Sequence, residues 1–150
     1  MSFARPRILV VDDDHDCRLV LSTIMARAGF DVDAVADGDM ALTMIETRPP
    51  DLVLLDAYLP RRDGFQVCSR IKNNHTTQHT PVVMLTAFAS PEARARGMAA
   101  GADEFVEKPF RTEALLELVT QLLRIHETAH QLDPGEQAVV AALQRNPART

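Results

Sequence analysis

The sequence predicts an α/β protein: a doubly wound, five-stranded parallel sheet with helices on both faces. Three observations lead there. Short strand-like and helix-like segments alternate strictly along the chain, the pattern of successive β–α units joined by right-handed crossovers. The run Leu52–Leu55 is apolar at every position, as in a strand covered on both sides. Finally, several runs end in a residue suited to phosphate or to a metal. Ile8–Val11 leads into Asp12-Asp13-Asp14, Leu52–Leu55 into Asp56, Val82–Leu85 into Thr86, and Glu104–Val106 towards Lys108-Pro109. All strand C-termini of an open parallel sheet lie on one edge, where ligands bind. Groups far apart in sequence would therefore converge.

Each element has its own signal. After the first strand, apolar residues at Cys17, Val20, Leu21, Ile24, Met25 and Ala28 recur at helical spacing over about Asp14–Ala28. Asp14 is the expected helix cap and Gly29 the stop. Asp31–Val35 alternates polar and apolar, as an edge strand does. Asp37-Gly38 turns the chain into a second helix, about Asp39–Thr47, ended by Pro49-Pro50. After the third strand, the loop Leu59–Gly64 precedes a helix over Phe65–Lys72. Pro81 introduces the fourth strand. Ser90-Pro91-Glu92 reads as a capped helix start with proline at the first position, opening a helix that runs to Gly101. Thr112 is expected to cap a last helix, with Leu115, Leu118, Val119, Leu122 and Ile125 facing inward.

The size of 150 residues suits one domain with a single core. The formal charge of −5 gives no electrostatic case for nucleic-acid binding. No apolar stretch is long enough to span a bilayer, and MSFARPR lacks the apolar centre of a signal peptide. A cytoplasmic location follows as the expectation. Cys17 and Cys68 then read as two small buried thiols in a reducing compartment.

The converging groups suggest phosphoryl chemistry. Asp12, Asp13 and Asp56 would form a compact all-oxygen cluster of the kind that holds Mg²⁺. An Asp carboxylate is also a competent nucleophile that forms an acyl phosphate. Each residue taken alone has an ordinary explanation, as cap, turn or solvated side chain; four strand ends together make coincidence a poor account.

Along about residues 6–125 the chain resembles the receiver domain of two-component response regulators. The matching segments are ILVVDDD, DLVLLDAYLPRRDG, PVVMLTA and GADEFVEKPF, in this order and spacing. The resemblance implies a flavodoxin-like strand order 2-1-3-4-5. It implies that Asp56 is the phosphoacceptor, charged by a sensor histidine kinase or histidine phosphotransfer protein. Asp12, Asp13, Asp56 and the main-chain carbonyl of Tyr58 would bind Mg²⁺, and Lys108 would pair with the phosphoryl oxygens across an expected cis Lys108–Pro109 bond. Thr86 and Phe105 would be the switch pair, reshaping the face formed by the fourth helix, fifth strand and fifth helix, which could also serve a homodimer. Tyr58 and Phe88, two residues beyond Asp56 and Thr86, would stand where water approaches and would prolong the acyl phosphate. The output would be a changed protein-binding surface, with no enzymatic activity beyond self-phosphorylation and slow dephosphorylation.

Rival readings are weaker. Asp12-x-Asp14 resembles the haloacid-dehalogenase-type phosphatases, but Asp16 stands where Thr or Val is usual, and Asp56 would have no role. His126-Glu127-Thr128-Ala129-His130 spells H-E-x-x-H, yet the extended motif's glycine is missing and the segment closes a packed helix. Residues 126–150 read as a C-terminal extension beyond a receiver spanning 1–125, with a short amphipathic helix from about Pro134. That stretch is too short for a recognition helix, so direct DNA binding is not expected. A stand-alone receiver is the first reading, and the receiver part of a DNA-binding transcription regulator the second.

Overall fold

A computed structural model describes residues 5–131, with side chains described through residue 125. Its elements are β1 (Arg7–Val11), α1 (His15–Arg27), β2 (Asp31–Val35), α2 (Gly38–Thr47), β3 (Leu52–Asp56), α3 (Gly64–Asn73), β4 (Val82–Thr86), α4 (Pro91–Ala99), β5 (Glu104–Glu107) and α5 (Thr112–Gln131). The strands form one parallel sheet in the order β2-β1-β3-β4-β5. The expected doubly wound, flavodoxin-like order is therefore observed.

Side-chain alternation along the strands divides the core into two layers. Leu9, Val11, Val53, Leu55, Met84 and Phe105 face α2, α3 and α4. Ile8, Val10, Leu52, Leu54, Val83 and Leu85 face α1 and α5. Leu52–Leu55 are fully buried, and each such side chain contributes about 1.5–3 kcal/mol relative to exposure. That burial on both faces is why β3 reads as an unbroken apolar run.

Short polar side chains open four of the helices. Asp14 accepts from the amides of Asp16 and Cys17, Asp37 from Met40, Asp63 from Gln66, and Ser90 from Ala93. Each such cap is worth about 1 kcal/mol. Helices α1 and α4 end alike. Gly29 (φ 100°) and Gly101 (φ 96°) adopt the left-handed conformation, and the next residue's amide reaches back to Met25 or Gly97. The fourth helix thus stops at Ala99, two residues before the glycine expected to end it.

Two other expectations change. Val20 is 50% exposed because α1 buries only a narrow stripe centred on Leu21 and Met25, and Ala28 is exposed as the cap residue beyond the end of α1. A residue next to that stripe is rotated by about 100° around the axis, enough to face solvent. Thr112 does not cap α5. The Arg111 carbonyl accepts the first helical hydrogen bond, from Leu115, so Thr112 is already the first helical residue.

At the N-terminal edge of the sheet, Lys72 at the end of α3 ties several segments together. Its Nζ donates to the Thr80 carbonyl and to Asp103 Oδ2, each at 2.8 Å. The same Asp103 oxygen accepts from the Val82 amide at 2.8 Å. The amphipathic segment expected from Pro134 lies outside the described residues, as do the side chains of the H-E-x-x-H segment.

Candidate functional site

The strand register sets the C-terminal edge. Val11 pairs with Leu55, Asp56 with Leu85, and Thr86 with Glu107, so the residues that end β1, β3, β4 and β5 share one rim. Asp12 leaves β1 with its amide on the Val35 carbonyl (3.2 Å) and its side chain 1% exposed. Its Oδ1 accepts from the Asp14 amide at 2.9 Å, and its Oδ2 from Lys108 Nζ at 2.7 Å. Asp56 closes β3. Its Oδ1 accepts from the Tyr58 amide at 3.0 Å, and its Oδ2 from the same Lys108 Nζ at 3.3 Å. Asp13, exposed, completes a set of three carboxylates whose nearest oxygens lie within 4.8 Å of one another.

Gly64 makes this packing possible. A Cβ at that position would collide with the main-chain carbonyl of Asp56, so only glycine lets α3 begin so close to the end of β3. Lys108 is placed by its own amide, which donates to the Thr86 carbonyl at 2.9 Å, and it precedes a cis peptide bond to Pro109.

Burial pushes the Asp56 carboxyl above its ordinary range. The Tyr58 amide and the Lys108 charge oppose this, and the Asp12 charge adds to it. For Lys108, burial disfavours the charge, but the Asp12 hydrogen bond and the charges of Asp56 and Asp12 outweigh it and hold the ammonium protonated. The result is a crowded anionic cluster with a single bridging cation. Its donors are all oxygen, and the set is compact and partly solvent-facing, which fits a hard divalent ion such as Mg²⁺.

Asp12, Asp56 and Lys108 are thus brought together by direct contact, with the Asp13 carboxylate close by. Thr86 is fully buried on the neighbouring strand, and its Oγ1 accepts from the Phe88 amide at 3.1 Å. The Tyr58 amide touches Asp56. Phe105 stands apart from the cluster, buried with the Arg94 guanidinium 5.0 Å from its ring centroid.

Two residues at the site escaped the sequence reading. The Cys17 thiol is half-buried against the Asp12 carboxylate and Lys108, and burial followed by the Asp12 interaction raises it to about 11. Arg18 Nη1 donates to the Asp12 carbonyl at 2.8 Å. Both lie just after the Asp14 cap, but which side of that turn faces the strand end is set by the packing of α1 on β1. Cys68 is buried as expected, its thiol raised to about 12 chiefly by burial, and both cysteines are free.

A family model described as the response regulator receiver domain matches residues 8–120. The chain belongs to the response regulator receiver family. This receiver is 40% identical to the DNA-binding dual master transcriptional regulator RpaA of Synechocystis, over 79% of this chain and 49% of that protein. It is 39% identical to the phosphate regulon transcriptional regulatory protein PhoB of Rhizobium meliloti, over 79% of this chain and 52% of the relative. The receiver spans about half the length of the curated relatives it matches. Among solved structures, a CheY-like response regulator receiver domain protein from Methanospirillum hungatei superposes with a TM-score of 0.79 at 29% identity. That match covers 83% of this chain and 98% of the other. No helix among the receiver's described residues is long and apolar enough to cross a membrane.

Proposed function

We propose that this receiver accepts a phosphoryl group on Asp56 from the phosphohistidine of a sensor kinase or phosphotransfer protein, in the cytoplasm. The observation that carries the reading is Lys108 Nζ lying between Asp12 and Asp56 within a three-carboxylate cluster. In the transfer, an Asp56 carboxylate oxygen forms the new P–O bond as the P–N bond to imidazole breaks, and the nitrogen keeps the bonding electron pair. Burial strips that carboxylate of part of its water and raises its proton affinity. Asp12, Asp13, Asp56 and the Tyr58 carbonyl would hold Mg²⁺, which supplies neutralisation of the phosphoryl oxygens when bound. Lys108, released from its bridge to Asp12, pairs with another of those oxygens.

Signalling follows as a population shift. The phosphoryl oxygens draw the Thr86 hydroxyl towards them, which takes it from the Phe88 amide it now accepts. Phe105 already lies inward, so the shift acts on the surroundings of its ring, including α4. The face formed by α4, β5 and α5 is then read by a downstream protein or by a second copy of the receiver.

The test is intact-mass analysis after incubation with a small phosphodonor and Mg²⁺, with peptide mapping. One phosphoryl group on Asp56 is expected in the parent and none in Asp56→Asn; undiminished incorporation in the variant refutes the assignment. A second reading, the receiver part of a transcription regulator, is supported by the doubled length and the names of the relatives. Further coding sequence after Thr150 in the source gene would favour it.

A further inference from the structure

Three aromatic rings and one guanidinium form a continuous line from the phosphoacceptor rim to α4. Tyr58, two residues after Asp56, meets Phe88, two residues after Thr86, edge to face at 6.0 Å between centroids. The pair bridges the two loops that leave β3 and β4 beside the acceptor carboxylate. On its other side Tyr58 meets Phe65 of α3, again edge to face, at 5.8 Å. Phe65 is buried, and the Arg96 guanidinium of α4 stacks over its ring at 4.1 Å from the centroid. Arg96 is further oriented by Asp63 Oδ2 at 3.8 Å.

The two ends of this line differ in support. Phe65 is clamped between Tyr58 and a cation, whereas Phe88 is 73% exposed and Tyr58 41% exposed. An exposed ring pair keeps one arrangement only if something fixed holds one of its members. Here that member is Tyr58, held at its amide by Asp56 and at its ring by Phe65. Phe65 is seated in the core, and the Arg96 side chain, 57% exposed, stacks over its ring.

We infer that Arg96 is a positioning residue for the Tyr58–Phe88 bridge and thereby sets how long the phosphoryl group stays on Asp56. This rests on the proposed acceptor role of Asp56 and deepens it, since Arg96 touches neither the carboxylate nor the phosphoryl group. Hydrolysis of the acyl phosphate needs water in line with the bond to the Asp56 oxygen. Two rings joining the flanking loops narrow that approach, and freeing Tyr58 from Phe65 opens it. The geometry also makes the lifetime sensitive to α4: a partner that draws Arg96 off Phe65 would speed loss of the signal.

The experiment measures phosphate loss from the charged protein after removal of phosphodonor, in the parent and in variants of the full chain. A cation over an aromatic ring at a partly exposed site corresponds to about a two- to five-fold change in rate if its whole effect reaches the barrier. Arg96→Met is expected to lose phosphate faster by that factor, and Arg96→Lys, which keeps a cation, by less. Phe65→Leu, which keeps the apolar volume without the ring, should match Arg96→Met. In a Tyr58→Asn background, Arg96→Met should add nothing further. An unchanged rate in Arg96→Met, or the same acceleration with and without Tyr58, would overturn the inference. Failure of the parent to gain mass would instead strike the acceptor assignment, and the inference with it, and is read from the mass spectrum before any decay is followed.

Discussion

Replacing Lys108 by methionine keeps most of the apolar stem and removes the ammonium that bridges Asp12 and Asp56 at 2.7 and 3.3 Å. The side chains of Lys108, Asp12 and Asp56 are 16%, 1% and 12% exposed, so solvent screens the contacts little. Deleting one member of a buried ion pair costs about 3–5 kcal/mol, because the remaining charge is left uncompensated. Asp12 retains the Asp14 amide and Asp56 the Tyr58 amide, which places the expected loss near the lower end, about 3 kcal/mol. For a protein of this size that corresponds to a fall in Tm of roughly 6–12 °C. The loss should depend on the metal. With the ammonium gone, the three carboxylates repel one another without compensation, and a divalent ion gains affinity for them. Excess Mg²⁺ stabilises parent and variant alike by mass action, so the gap narrows by about 1.4 kcal/mol for each tenfold by which the variant binds the ion more tightly. Urea denaturation in EDTA and in excess Mg²⁺ checks both parts. Equal midpoints for parent and variant in EDTA would refute the reasoning, as would a gap that Mg²⁺ leaves unchanged.

Asp56→Asn should alter the pH dependence of stability in the absence of metal. A carboxyl whose folded pKa is raised above its unfolded 3.8 contributes stability that is fully present below 3.8 and lost as pH rises through the folded value. The variant is therefore expected to gain on the parent as pH rises through that window, and denaturation midpoints across mildly acid to neutral pH would show it. Gly64→Ala forces a methyl group into the Asp56 carbonyl and should cost about 1–3 kcal/mol. It should also slow Asp56 labelling, followed by mass against time. Lys72→Met removes the ammonium shared by Thr80 and Asp103, at 17% and 25% side-chain exposure for Lys72 and Asp103. A loss of about 2–3 kcal/mol is expected by urea denaturation, with Asp56 labelling unchanged because the contact lies at the opposite edge of the sheet.

Much of this protein was legible in its sequence. Strand and helix periodicities, the Asp14 and Ser90 caps and the glycine stop after α1 are local signals, carried by neighbouring residues and the backbone conformations they favour. Parallel topology follows from alternation, and parallel topology alone brings Asp12, Asp56, Thr86 and Lys108 to one edge. Less of the site's interior could be read. Cys17 looked like an ordinary core thiol, although its proximity to Asp12 and Lys108 depends on how far α1 is rotated over β1. Val20 shares the apolar spacing of α1 yet is 50% exposed: spacing gives the period of an apolar stripe but leaves its width to the neighbouring elements.

By itself the sequence determined which groups end the strands and that they share an edge, because order along the chain and strand direction suffice for that. Only the tertiary structure decided which atoms meet: that Lys108 bridges two carboxylates, that Gly64 lies against the Asp56 carbonyl, and that Arg96 stacks on Phe65. Those contacts join residues distant in sequence through the packing angles of whole helices, and such angles are set by the sum of many small apolar contacts rather than by any local motif.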